Sequence, residues 1–197
     1  YDHVENVSRY AGVFAGYLAR RLGVDPERVS AFARMAGRSH DIIRYASQVQ
    51  SGEAASARLL QSLYKYHFSD IPEDVYERLV VGIVENSDRN FLDMQQLYAN
   101  DPEALCVALG LVAADKLIEA SGPRVLERRS FFVGGERMRN QKDLGAVFRY
   151  PQESNLGVLS ETFVRLGDVN HVSNYSSIPE LLALAQELHS PQYQLYK

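Results

Sequence analysis

Residues 101–115 read DPEALCVALGLVAAD, and this stretch decides the fold of the chain. Asp101 is a residue that caps helices, and Pro102 fits the first turn of a helix. The run that follows, from Ala104 to Ala114, contains no charged side chain. The stretch therefore predicts a helix that is apolar enough to be buried, and we expect it to end at Ser121-Gly122-Pro123.

Helical signals continue on both sides of this stretch. Start signals with a proline in the first turn open three further segments, namely Asp25-Pro26-Glu27, Ile71-Pro72-Glu73-Asp74 and Ser177-Ile178-Pro179-Glu180. Before them, apolar residues at spacings of three and four, from Val7 to Leu18, predict one helix face that stops near Gly23. The one strand candidate, residues 130–133, is short. We predict an all-α fold, with at most a minor hairpin.

The composition limits the classes of protein to be considered. The chain has 197 residues, of which 46% are hydrophobic, so it can build a sizeable core. Its 21 basic and 25 acidic residues give a net charge of -4, which argues against a general nucleic-acid-binding surface. No apolar run reaches the length of a membrane span, and no signal-peptide pattern is present. We therefore expect a cytoplasmic protein without a membrane partner.

Cys106 is the single cysteine of the chain, and it lies inside the apolar run. One cysteine can form neither an internal disulfide nor a cysteine-based zinc site. We interpret Cys106 as a small buried hydrophobic residue rather than a nucleophile.

The pair His40-Asp41 directly follows a predicted helix, in the stretch Ser39-His40-Asp41-Ile42-Ile43. Neighbouring residues on a helix point about 100° apart, so both side chains reach one ion only if it lies off the helix flank. An imidazole with a carboxylate suits a divalent transition metal such as Mn, Fe, Co or Ni, which we expect here rather than Zn or Mg. The pair is thus a candidate ligand pair for a divalent metal, although a His-Asp dipeptide also occurs often by chance.

Asp115 ends the uncharged run, and a carboxylate in such a place needs a cation if it is buried. That cation is either a metal or a basic side chain such as Lys116. The alternative is that Asp115 faces solvent. His3 precedes the first amphipathic segment and lies on its apolar side, which makes it a further candidate ligand.

These residues, taken in order, resemble the HD superfamily of metal-dependent phosphohydrolases. The matching pieces are Asp2-His3-Val4-Glu5-Asn6-Val7, Ser39-His40-Asp41-Ile42 and Ala113-Ala114-Asp115-Lys116-Leu117. The resemblance implies a helical bundle whose metal ligands are His3, His40, Asp41 and Asp115. His67 is the only histidine between the pair and Asp115, which favours one bound metal over two.

A phosphohydrolase also needs cationic side chains to stabilise charge on the phosphoryl oxygens. Arg44 and Lys116, which are near ligands in sequence, are the candidate catalytic residues. Arg38 is a candidate substrate-binding residue, together with the arginines of a glycine-containing segment, Arg124, Arg128, Arg129, Arg137 and Arg139. The alternative for this segment is a solvated basic face interleaved with Glu127 and Glu136.

The sequence thus predicts an HD-type metal-binding domain over residues 1–130. Residues 131–197 are expected to form a loop and a C-terminal helical extension packed on that domain. The function implied by the resemblance is hydrolysis of a phosphate ester, with nucleotides among the candidate substrates, through a metal-activated water. Two alternatives remain open, namely an HD-type module that binds a phosphorylated ligand or a protein partner, and a helical interaction domain with chance motifs. A homo-oligomer is compatible with all three of these functions.

Overall fold

The computed structural model describes residues 2–43 and 52–115, and all of them lie within one compact unit that spans residues 1–118. In these two ranges most residues are helical and no strand occurs, so the all-α prediction is confirmed there. The predicted segment boundary at residue 130, the strand candidate, the arginine-rich segment and the C-terminal helical extension lie outside the described residues.

The described part consists of helices joined by short turns. Their bounds are α1 Asp2–Leu22, α2 Pro26–Ser39, α3 Gly52–His67, α4 Glu73–Tyr76, a π-helical segment Glu77–Val81, α5 Gly82–Glu85, α6 Phe91–Leu97 and α7 Pro102–Val112. Helix α1 packs against both α2 and α7, which also contact each other, while α3 packs against α5 and the π-helical segment.

Helix α1 has the apolar face that its sequence predicts. Val7, Ala11 and Phe14 are fully buried, and Leu18 is nearly so. The chain leaves α1 at Gly23, whose φ of 71° lies in the left-handed region that glycine adopts without strain. The predicted end near Gly23 is therefore confirmed.

The predicted helix starts at Asp25 and Asp101 are confirmed by their capping geometry. The Asp25 carboxylate accepts hydrogen bonds from the backbone N–H of Glu27 at 3.0 Å and of Arg28 at 3.2 Å. Asp101 accepts one from the N–H of Ala104 at 3.1 Å. These bonds satisfy N–H groups that a helix cannot pair internally, which is why the two helices begin where they do.

Helix α7 forms the buried centre of this unit, as its uncharged sequence predicts. Gly110 allows α7 to approach α1 closely, since a Cβ there would lie 2.8 Å from the Ala11 carbonyl oxygen. Cys106 is fully buried, and burial raises the pKa of its thiol to about 12. The interpretation of Cys106 as a small core residue is thus confirmed.

The segment predicted to start at Ile71-Pro72 forms a helix with a π-helical turn in its middle. The N–H of Gly82 donates to the carbonyl of Glu77, five residues earlier, where an α-helix would use the fourth. The Gly82 carbonyl in turn accepts hydrogen bonds from the Tyr98 hydroxyl at 2.9 Å and the Asn86 amide at 2.8 Å.

Among the described helices, none is both long and apolar enough to span a membrane.

Candidate metal centre

Four polar side chains meet where one end of α1, the end of α2 and the end of α7 come together. His3 lies in the first turn of α1, within the helix rather than before it, and His40 is the C-cap of α2. Asp41 follows in the turn, and Asp115 lies in a wider, π-helical turn that continues α7. His3, His40 and Asp115 are 6%, 3% and 8% exposed, so this is a buried cluster.

The distances within the cluster follow a regular pattern. Nε2 of His3 and Nε2 of His40 each lie 3.6 Å from Asp41 Oδ2. Each also lies 3.8 Å from Asp115 Oδ1. A direct N–H···O hydrogen bond would need about 2.7–3.2 Å. Each carboxylate is therefore shared by both imidazoles at a distance longer than a hydrogen bond.

Such separations suit atoms that surround one cation. Two ligand atoms about 2.1 Å from an ion lie about 3.0 Å apart at a right angle and about 4.2 Å apart on opposite sides. The separations of 3.6 and 3.8 Å fall between these limits. The candidate ligand atoms of His3, His40 and Asp41 lie within 4.8 Å of one another, so these three residues could hold a metal ion.

The hydrogen bonding of His40 fixes the role of its ring nitrogens. Nδ1 lies 2.8 Å from the carbonyl oxygen of Gly37. A carbonyl oxygen only accepts, so Nδ1 carries the proton and donates it. In the neutral ring Nε2 then keeps its lone pair, and this buried nitrogen has no hydrogen-bond partner among the described residues. An imidazole held in this way is prepared to bind a metal through Nε2.

The turn that carries His40 and Asp41 is attached to α3. The N–H of Ile43 donates to the hydroxyl oxygen of Ser56 at 3.3 Å, and that hydroxyl donates to the Gly52 carbonyl at 2.8 Å. Ser56 is fully buried, so this contact is protected from water. The link restrains the chain just after Asp41.

Arg38, one of the candidate substrate-binding residues, is exposed and pairs with Glu5. Its Nη2 contacts both carboxylate oxygens at 3.0 Å, and its Nε contacts one of them at 3.3 Å. Hydrogen bonding to Arg38 lowers the pKa of the Glu5 carboxyl and raises that of Arg38. The pair joins α1 to α2, and each of its members lies two residues from a histidine in sequence.

The remaining candidate residues are separated from the cluster or lie beyond the described ranges. Burial of Asp115 removes the alternative in which its carboxylate faces solvent. His67 is exposed at the end of α3, next to the Phe68 ring. The two candidate catalytic residues, Arg44 and Lys116, lie outside the described residues. The arginine-rich segment also lies outside them, with Arg124, Arg128, Arg129, Arg137 and Arg139.

Gly37 and Ser56 contribute to the cluster but are absent from the sequence prediction. Gly37 acts through its carbonyl oxygen, which every residue has, so its side-chain type gives no signal for this role. Ser56 contacts Ile43 across 13 residues, and one serine among many has no pattern that singles it out. Both contributions depend on how helices pack, which the local pattern does not specify.

Comparison of the chain with models of protein families, with curated proteins and with solved structures finds no match. The resemblance to the HD superfamily therefore stays a prediction that rests on the order and spacing of its motifs.

Proposed function

We propose that His3, His40, Asp41 and Asp115 bind one divalent metal ion, and that the protein is a metal-dependent phosphohydrolase of the HD type. The observation that carries the proposal is the shared geometry of the cluster. Two imidazole nitrogens each lie 3.6 Å from one carboxylate oxygen and 3.8 Å from another. Direct ion pairs would be shorter, whereas ligands of one cation have this spacing.

The chemistry of the four side chains fits a divalent cation. Two carboxylates supply two negative charges, and the His40 ring, whose Nδ1 donates to Gly37, presents Nε2 to them. Lone pairs and carboxylates repel one another in a buried place, so a cation between them relieves the electrostatic cost of burial. Mixed nitrogen and oxygen ligands favour Mn, Fe, Co or Ni, and four protein ligands leave octahedral positions open for water or substrate.

A phosphate ester, with nucleotides among the candidates, is the proposed substrate. When bound, the metal polarises a phosphoryl oxygen and lowers the pKa of a coordinated water. The protein's own part is to hold the ligands in place and to exclude bulk water from a cluster that is largely buried. Because Arg38 is already paired with Glu5, we assign the stabilisation of phosphoryl charge to Arg44, Lys116 and the arginine-rich segment.

A screen of activity with a matched histidine pair tests this proposal. The metal-free protein is reloaded with Mn, Co or Ni and assayed for phosphate release from nucleotides and other phosphate esters. We expect turnover that His40→Ala abolishes and that His67→Ala leaves intact, because His67 is exposed at the end of α3. Equal activity of the two variants, or none in the wild type with any metal, would contradict the enzyme proposal.

The alternative functions predict different results in the same experiment. A protein that binds metal through His40 yet releases no phosphate would be an HD-type module for a phosphorylated ligand or a protein partner. A protein that binds no metal would be a helical interaction domain. Metal analysis of the wild type and His40→Ala therefore separates the interaction domain from the other two functions, and the assay of phosphate release separates the enzyme from the binding module.

A further inference from the structure

Helix α2 lies against the backbone of α1 at Gly37, three residues before His40. A Cβ on this residue would lie 2.8 Å from the Cα and 3.0 Å from the N of Ser8, and 3.2 Å from the carbonyl carbon of Val7. All three are backbone atoms of α1, so a side-chain rotation cannot relieve the overlap. Any larger residue at position 37 must move one helix relative to the other.

Gly37 has a second contact, which leads directly to His40. Its carbonyl oxygen accepts the hydrogen bond from His40 Nδ1 at 2.8 Å. The carbonyl is available because α2 ends at Ser39, and the carbonyls of the last turn of a helix have no partner within it. The same residue thus sets the distance between the helices and the orientation of the imidazole.

We propose that Gly37 is a positioning residue of the metal centre. By allowing backbone contact between the helices, it brings His3 on α1 within reach of the carboxylates that His40 also approaches. Through its carbonyl it keeps the His40 lone pair directed into the cluster. This inference rests on the proposed metal centre, because it concerns how that centre is assembled.

Gly12 provides a matched control at the same pair of helices. A Cβ there would also be crowded, at 2.6 Å from Nε and 2.7 Å from Cγ of Arg34. These atoms belong to an exposed, flexible side chain that can rotate away, and Gly12 lies about two and a half helical turns after His3. Both substitutions to alanine favour helix formation, so local unwinding of a helix cannot explain a loss of metal binding.

The experiment compares the wild type, Gly37→Ala and Gly12→Ala, each stripped of metal and titrated with Co²⁺. Affinity is measured by competition with a chromophoric chelator, and the ligand geometry is followed by the visible absorption of bound Co²⁺. The melting temperature of each metal-free protein shows that the titration is done on folded chains. We expect Gly37→Ala to bind Co²⁺ about 10–100-fold more weakly, as for the loss of an outer-shell partner, with a changed absorption spectrum. Gly12→Ala should match the wild type in both.

The possible outcomes distinguish failure of the Gly37 inference from failure of the metal-centre proposal on which it rests. Co²⁺ binding by Gly37→Ala with wild-type affinity and spectrum overturns the role of Gly37 and leaves the metal centre standing. Failure of the wild type to bind Co²⁺ overturns both. If Gly37→Ala does not fold, ¹⁵N NMR of the metal-free wild type decides, with the His40 signal assigned by its absence in His40→Ala. A protonated Nδ1 with an unprotonated Nε2 supports the inference, and the opposite tautomer overturns it.

Discussion

The two ends of α7 carry acidic residues in contrasting surroundings. At the start of the helix, Asp101 and Glu103 are partly exposed and accept hydrogen bonds from Arg78 at 2.7 and 2.8 Å. Just beyond its end, Asp115 is buried and has its Oδ1 3.8 Å from each of two imidazole nitrogens. One end is thus a directly hydrogen-bonded ion network, whereas at the other end the carboxylate oxygen and the imidazole nitrogens lie farther apart than a hydrogen bond.

The difference shows how interatomic distances distinguish charged groups in an ion pair from candidate metal ligands. In the ion pair of Arg78 with Asp101, donor and acceptor lie at hydrogen-bond distance. Groups that share a metal are held apart by the ion between them. Acidic residues at both ends of one helix look alike in sequence, and the structure shows that their surroundings differ.

The largest expected effect comes from removing the buried acid. We expect Asp115→Ala to weaken the binding of Mn²⁺ or Co²⁺ by more than about 100-fold, since it deletes a ligand rather than an outer-shell partner. The variant should remain folded, because the substitution also removes a desolvated charge. Isothermal titration calorimetry measures the affinity, and circular dichroism checks the helices.

Asp101→Ala is the matched control, because it removes an acid from the other end of α7. Its affinity for the metal should equal that of the wild type. If both variants bind as tightly as the wild type, Asp115 is not a ligand, and the contrast between the two ends is only one of burial.

Removal of the metal should have the next largest effect. A ligand present at about 100 times its dissociation constant stabilises the folded state by about 2.7 kcal/mol. For a chain of this size that corresponds to a shift of about 5–10 °C in the melting temperature. We expect differential scanning calorimetry to show this decrease when a chelator strips the wild type. Asp115→Ala should melt at one temperature with or without chelator, and a chelator-dependent shift in that variant would argue against the assignment.

The smallest expected effect belongs to the ion network at the start of α7. Asp101→Ala removes the cap on the Ala104 N–H and the pairing with Arg78, both of which lie near the surface. A lost cap costs about 1 kcal/mol and an exposed ion pair at most about 1 kcal/mol, so we expect a loss of about 1–2 kcal/mol in the free energy of unfolding. Urea denaturation measures it.

A second substitution divides this loss into its two parts. Asp101→Asn keeps a side-chain oxygen that can cap the helix and removes the charge, so it should cost less than Asp101→Ala. Equal losses for the two variants would mean that the charge, and not the cap, stabilises the start of α7.

The parts of the fold that depend on local chemistry could be predicted from the sequence. Asp25 and Asp101 start helices because their carboxylates hydrogen-bond to N–H groups two or three residues ahead. The burial of α7 follows from its lack of charge. The order of His3, His40-Asp41 and Asp115 indicated which side chains to consider together, and the structure places all of them in one cluster.

Features that depend on packing could not be predicted in this way. The Asn90 cap of helix α6, whose side chain accepts from the Asp93 N–H at 2.9 Å, is an exception, because it is local and yet is absent from the predicted helix starts. The spacing of Val75, Leu79 and Ile83 fits an uninterrupted α-helix equally well, so it could not reveal the π-helical turn. Arg78 finds Asp101 across 23 residues, a contact that no local pattern specifies.

The buried thiol of Cys106 has a practical consequence for measuring distances in this protein. With a pKa of about 12, it stays protonated at neutral pH, whereas thiol-reactive labels need a thiolate to attack them. Cys106 is also the only cysteine in the chain. A pair of cysteines introduced on exposed positions of α1 and α2 would therefore accept spin labels or fluorophores without background, and would report any change in helix spacing when a metal is added.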